Sequence, residues 1–451
     1  MSIAEKQIPI ISSTKLFKFG FRLVNNPLKA ISDIIDVYGD IACLKISKIG
    51  AIVFVNHPDY VKHVLKDHQD NYSRRKAVKQ PSFSALQDLL GNGIFMSDGE
   101  DWAQQHKMLR NLFSPTSISA TLPVIEEELT LLASQWKQQI KTNNIVDIEQ
   151  AMHLLMLRIM LRTHVCVDKQ FPYEAILTAL KNFMNASTSK HIFSAQLKAF
   201  LLKPFGISYH YNKPQQSLEW LLTFVDGLID DLIHRVYVPA GLFATMLTDY
   251  EAGVINKQDI KDQLLNFLFA GFDTTSTGIT FTLYNLAAHK AVQKLVQDEI
   301  ADIENEQYAV LDKVIKETLR LYPPVWSYAR ETIADDIIDG YVIPAKTLVL
   351  ISSYALHRHK DFWQEPDTFN IDNFEKENFK GKNFAYIPFG QGKRMCIGRA
   401  LADYQMTTIL PFLLQRFSFV TIDATKPVIN PNIIIKATKS IKLQVCLINN
   451  L

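Results

Sequence analysis

Cysteine is scarce in this chain: Cys43, Cys166, Cys396 and Cys446 are all that its 451 residues hold. No two form a CxxC pair, and the gaps suit neither a zinc ligand set nor a disulfide framework. A reducing, cytoplasmic home is expected. Charge of one sign is lacking too. Lys+Arg 48 against Asp+Glu 46 leave a net charge of +2, which argues against nucleic acid as the main partner. Long apolar runs are missing from the first 30 residues, where Lys6, Lys15, Lys18, Arg22 and Lys29 interrupt them. Nothing there spans a bilayer or reads as a signal peptide. No membrane anchor is expected, and Phe17, Phe19 and Phe21 are expected to pack on the body of the protein. Repeats, low-complexity runs and linkers are absent as well. With 47% hydrophobic residues the chain can build a large core, and it is expected to fold as one domain, 1–451.

Proline is absent between Pro239 and Pro323. Asp259 to about His289 reads as one helix of about 30 residues, about 45 Å long. Leu264, Leu265, Phe267, Leu268 and Phe269 make it apolar nearly all round, so it should cross the interior. Helices are also expected from Pro58 to about Lys66, over Ser117–Lys141, and at roughly 149–165, 173–186, 215–235 and 396–416. Strands are expected over Ile41–Ile46, Ala51–Val55, Asn432–Ile435 and Ile441–Val445. Gly340–Pro344 and Thr347–Ile351 read as a hairpin. The fold class is mainly α with a smaller β-rich part.

One cysteine has chemistry around it. The chain reads Phe389-Gly390-Gln391-Gly392-Lys393-Arg394-Met395-Cys396-Ile397-Gly398-Arg399. The glycines allow a tight turn and close approach to a flat ligand. Amides following Cys396 aim their positive end at the sulfur and favour the thiolate. A lone thiolate cannot complete a zinc site, but it can be the one protein ligand of a haem iron.

A second oddity lies in the long helix: Ala270-Gly271-Phe272-Asp273-Thr274-Thr275. Gly, Asp and Thr are poor choices for a buried helix interior. Threonine there can bond back to the carbonyl four residues earlier. A local bulge beside a flat cofactor, with Gly271 pressed against it, would account for all of them.

The pattern of Phe389, Gly392, Arg394, Cys396 and Gly398 resembles the haem-binding loop of cytochromes P450, whose axial ligand is a cysteine thiolate. The resemblance covers essentially the whole length and implies the P450 fold around haem b. It implies that Cys396 ligates the iron and that Phe389 and Gly271 border the cofactor. Thr274 becomes the hydroxyl donor of the oxygen-binding groove, and Asp273 the proton relay from solvent. Trp102, His106, Arg330 and Arg394 become donors to the haem propionates. Glu317-Thr318-Leu319-Arg320 resembles the family's structural Glu-x-x-Arg lock, with Asn373 standing where a further arginine is usual. His357, Arg358 and His359 are read as structural, with no metal role.

By the same resemblance the chain is a monooxygenase that uses dioxygen to hydroxylate or epoxidise a hydrophobic small molecule, fatty-acid, terpenoid or steroid-like. The alternatives are a peroxide-driven peroxygenase and a non-catalytic haem-thiolate ligand or gas sensor. Substrate contacts are expected from residues 77–95, 191–211, 267–274, 324–327 and 433–435, including Phe83, Phe193, Phe200, Phe205, Val325 and Trp326. No reductase is expected to be fused. Electrons should come from a separate ferredoxin or flavodoxin with its reductase, steered by Lys107, Arg110, Lys380, Lys382, Lys393 and Arg399.

Overall fold

Helices dominate because the apolar residues repeat at helical spacing over most of the chain. The computed structural model describes residues 6–12, 19, 22–23, 25–46, 50–74, 81–186, 215–302, 308–423 and 425–448. The residues 13–18, 20–21, 75–80 and 187–214 therefore lie outside the described residues. With them go the expectations for Phe17, Phe21, Phe193, Phe200 and Phe205. Phe19 is buried.

The long helix runs Lys257–Ala288, 32 residues, and is hereafter the central helix. It starts where Asn256 and Asp259 form a reciprocal capping box that satisfies the free amides of the first turn. It stays α-helical throughout, so the expected bulge near Gly271 is not formed. Most of it is buried, and its broadest packing is against helix Ile148–His164. Buried polar residues tie it to the segment before the helix Gly99–Leu109, which carries Trp102. Asp262, Gln263 and Asn266 accept the amides of Asn92, Ile94 and Phe95 at 2.7, 3.2 and 2.9 Å.

The other helices form about where the periodicity places them: Leu122–Gln139, Tyr173–Ala186, Gln215–Ile233 and Arg399–Leu414. The last begins three residues beyond Cys396, because Met395 is extended and Gly398 occupies the cap.

In the larger sheet, Ile41–Ile46 pairs antiparallel with Gly50–Val55, which runs parallel to Leu348–Ile351. Tyr328–Thr332 follows antiparallel, with Tyr72–Ser73 at the edge. Two β expectations need correction. Tyr341–Ile343 pairs with Asp336–Ile338 and not with Leu348–Ile351. Asp339 and Gly340 both have positive φ (48° and 82°), the geometry of a tight two-residue hairpin turn. Pro344 then lacks the amide to continue a ladder. In the tail, Ile429–Pro431 pairs with Ile435–Ala437, so residues 432–434 are their connection and not a strand.

Among the described residues, no helix is long and apolar enough to cross a membrane. All four cysteines are free.

Candidate active site

Cys396 sits at the end of a loop whose backbone is fixed from both sides. Its amide donates to the Phe389 carbonyl at 2.9 Å. Gly392 has φ +73°, and a side chain there would meet the Leu65 carbonyl, so this position requires glycine. Cys396 is exposed as a residue, yet protein lies densely around its thiol. Burial pushes the thiol up, while the Gly398 amide donates to the sulfur and pulls the other way.

Near this loop the fold gathers three guanidinium groups. Burial and then the neighbouring cations lower Arg74 to about 9 and Arg330 to about 10. Arg394 is lowered by burial, partly offset by Asp98. Asp98 receives the Arg394 Nη2, the Ser73 hydroxyl and the Arg74 amide. Although burial works against it, the Ser73 hydroxyl, the Arg394 charge and the Gly99 amide hold the Asp98 carboxyl at about 2. Arg394 also donates to the Ser97 carbonyl at 3.0 Å and lies 4.1 Å from the Trp102 ring centre. Its Nη1 is buried without a hydrogen-bond partner. Trp102 and His106 pack ring to ring, 4.9 Å apart. Burial, then Arg110 and Arg394, keep the His106 imidazole below its usual range.

Three like charges held together, with one donor unspent, call for anionic groups between them. A thiolate at Cys396 calls for a metal. The central helix supplies an accessible wall. Ala270 is exposed and Thr274 half-buried, although Phe269, Phe272 and Asp273 beside them are buried. These residues fit haem: sulfur for the iron, guanidinium groups for the two propionates, and an apolar helix face for the ring.

The chain belongs to the cytochrome P450 family. The family profile matches residues 6–445. Human cytochrome P450 4F3 is 26% identical over 446 residues, covering 90% of this chain and 83% of that protein. Mouse cytochrome P450 3A11 is 28% identical, covering 82% of this chain and 77% of that protein. The crystal structure of a cytochrome P450 (CYP102L1) superposes with a TM-score of 0.80 at 22% identity, covering 99% of this chain and all of that one. This P450 is therefore a haem-thiolate monooxygenase, an oxidoreductase that acts with dioxygen and a redox partner on a small molecule.

Asp273 of this P450 is fully buried and ion-paired. His153 Nε2 lies 2.6 Å and Lys436 Nζ 3.0 Å from its Oδ1. Burial alone would push the carboxyl up, but Lys436 first and His153 next outweigh it and hold it at about 2. Asp273 Oδ2 and His153 Nδ1 have no partner. Thr274 Oγ1 donates back to the Ala270 carbonyl at 2.7 Å, as its position in the helix suggested. The close approach that Gly271 allows is to Met160 of the neighbouring helix.

The Glu-x-x-Arg lock is complete without a second arginine. Arg320 spends all five N–H groups: two on Glu317 (2.7 Å each), and one each on the carbonyls of His357, Pro366 and Thr368. Glu317 accepts from Arg320 twice, from the Asn370 amide at 2.9 Å and from Asn373 Nδ2 at 3.2 Å. His357 accepts the Ile387 amide at 2.8 Å and faces the Arg320 carbonyl at 3.2 Å. Burial holds it at about 3, so it is a neutral strut between the lock and the segment leading to Cys396.

Sequence reasoning missed Arg74, Asp98, His153 and Lys436. His153 and Lys436 are each a lone polar residue in an apolar stretch, Met152-His153-Leu154 and Ile434-Ile435-Lys436. That was the available signal, since a buried charge needs a partner. Trp326, expected to face substrate, has its indole N–H on the Asn432 carbonyl at 2.7 Å and holds the tail turn. Lys382 lies over the Trp363 ring at 5.0 Å, and its ammonium is lowered by burial. Lys107, Arg110, Lys380, Lys393 and Arg399 are exposed.

Proposed function

We propose that this P450 binds haem b through the Cys396 thiolate and oxidises a hydrophobic, lipid-like small molecule in the cytoplasm, with Asp273 and Thr274 delivering protons. Haem, when bound, supplies dioxygen activation and oxygen insertion. The protein's part is to hold and to time. Gly398 stabilises the sulfur's negative charge. Arg74, Arg330 and Arg394 hold the propionates, with Trp102 and His106 beside them. Phe389 anchors the cysteine through its carbonyl. The reading rests most on the three guanidinium groups, one with an unspent donor, beside an accessible cysteine.

Asp273 as held is ionised and carries no proton. Its proton has to come through His153 or Lys436, and it can leave toward Thr274 through water. Lys436 thus acts as a restraint on the relay. The pair favours an oxygenase over a peroxygenase, which has no use for delivered protons, and over a gas sensor. An acidic ferredoxin or flavodoxin fits the exposed cations Lys107, Arg110, Lys380, Lys393 and Arg399.

The reduced holoenzyme treated with carbon monoxide is expected to give a strongly red-shifted Soret band that Cys396→Ser abolishes. A Soret band typical of neutral ligation in the wild type would overturn the thiolate reading. Thr274→Ala should keep consuming electrons while product per electron falls and peroxide rises. Unchanged coupling would remove Thr274 from the relay.

A further inference from the structure

Residues Pro58–Lys62 form an α-helical turn, but His63–Asp67 continue it as a π-helix. The His68 amide closes that turn on the His63 carbonyl, five residues back, at 2.8 Å. In an α-helix, residues five apart sit about 140° apart around the axis and cannot meet. The π turn stacks them: the His63 and His68 rings lie 3.8 Å apart at 18°. Such turns are frequent at functional sites.

Both rings address one carboxylate. His63 Nε2 is 2.9 Å from Asp336 Oδ2, and His68 Nδ1 is 3.5 Å from Oδ1. The three side chains each bring one donor atom within 4.8 Å of the others. Tetrahedral ligands at about 2.0–2.2 Å from an ion lie about 3.3–3.6 Å apart, so the donor atoms are within reach of one ion, and the stacked rings have to turn out of parallel for both lone pairs to face it. Asp336 is held from behind: Tyr72 donates to Oδ2 at 2.7 Å and the Ile337 amide to Oδ1 at 2.8 Å. Such outer partners orient metal-ligating carboxylates. His63 and Asp336 are largely buried, whereas the His68 side chain is 51% exposed. The fourth position therefore opens to solvent.

We propose that His63, His68 and Asp336 form a binding site for a late first-row divalent cation, zinc above all, separate from the haem. Two imidazoles and one carboxylate suit zinc, nickel or copper and are poor for magnesium. The site adjoins the cysteine loop. The Leu65 carbonyl lies against Gly392, and Gln69 accepts the Lys393 amide at 2.8 Å. An ion at the π turn would clamp the element on which that loop rests.

The test is equilibrium dialysis of the holoenzyme against Zn²⁺, with metal counted by atomic emission. The wild type is expected to bind one equivalent that His68→Ala and Asp336→Asn each weaken at least tenfold. Mg²⁺ should not compete. Because His68 is on the surface, His68→Ala should keep the wild-type Soret spectrum, which separates loss of the site from loss of the fold. Zinc should raise the thermal midpoint of the wild type and not of His68→Ala. The proposal is overturned if the wild type binds no zinc at 100 µM, on the order of weak protein–metal affinities, or if both variants bind it as tightly as the wild type. Neither result bears on the haem reading, which the carbon monoxide spectrum tests.

Discussion

Lys436→Met strips the Asp273 carboxylate of its strongest partner while leaving it buried. The carboxylate keeps only the His153 hydrogen bond, 2.6 Å away. Removing one member of a buried ion pair costs about 3–5 kcal/mol. Unfolding entropy of about 2 cal/mol/K per residue gives a chain of this length about 0.9 kcal/mol/K. The thermal midpoint of the holoenzyme should therefore fall by about 3–6 °C. Asp273→Asn with Lys436→Met removes both charges, so the double variant should be at least about 2 kcal/mol more stable than the single effects sum to. The pH dependence carries the same signature. A carboxyl at about 2, against an ordinary value near 3.9, contributes about 2–3 kcal/mol. Because the folded value is depressed, that stability is present above about pH 4 and is lost as pH falls toward 2. In Lys436→Met only His153 is left to oppose burial. The carboxyl then rises, and the acid-side loss begins at higher pH. Thermal and pH midpoints followed by circular dichroism and haem absorbance measure all of this. Additive single effects within about 0.5 kcal/mol, or an unshifted acid limb, would show that Lys436 does not hold Asp273.

Three further predictions concern the cofactor loop and the lock. Arg394→Met should speed haem loss to an acceptor protein by about tenfold to a hundredfold, the worth of one charge-assisted hydrogen bond at about 1.5–3 kcal/mol; unchanged haem retention would remove Arg394 from the propionate set. Gly392→Ala should cost well over the 1–2 kcal/mol of left-handed backbone alone, because the Leu65 carbonyl blocks it. Gly253→Ala, with φ +71° and open space, should cost only the backbone part, and equal melting shifts would refute the contact. Asn373→Ala should cost about 1–3 kcal/mol through the lost donor to Glu317. Asn373→Arg should be worse, since a larger guanidinium has to enter a buried position beside an Oε1 that already accepts from Arg320 and the Asn370 amide; a stabilised Asn373→Arg enzyme in urea denaturation would refute that.

The long helix was legible because proline is absent for more than eighty residues and apolar side chains surround its axis. The strands at Ile41–Ile46 and Gly50–Val55 were legible from their β-branched, apolar runs. The hairpin pairing failed for a local reason. Asp339-Gly340 is a stronger turn signal than the Pro344–Lys346 stretch, and it closes the hairpin one strand earlier. The lock was legible as Glu317 and Arg320. Its completion was not, because three of the acceptors are backbone carbonyls between residues 357 and 368, which no side-chain motif can announce.

The proposed relay shows where sequence reading stops and what geometry adds. Asp273 is visible in sequence as a charge that a buried helix cannot keep alone. Its partners stand 120 and 163 positions away, on a helix and on a tail hairpin, and each looks by itself like an isolated polar residue. Geometry adds the open ends. In the His153–Asp273 pair one ring nitrogen and one carboxylate oxygen are bonded to each other, while Nδ1 and Oδ2, the outward atoms, are buried without partners. A purely structural ion pair gains nothing from two unpaired buried atoms, each costing about 1–3 kcal/mol. The proposed relay would use them: His153 accepts a proton at Nδ1 and passes another from Nε2 to Asp273 Oδ1, and rotation of the carboxyl then presents that proton on the unpartnered side. The Glu317–Arg320 pair makes the contrast within the same fold, since it is equally buried and every one of its donors is spent. By that criterion the closed pair is a lock, and the open ends of the other support the proposed relay.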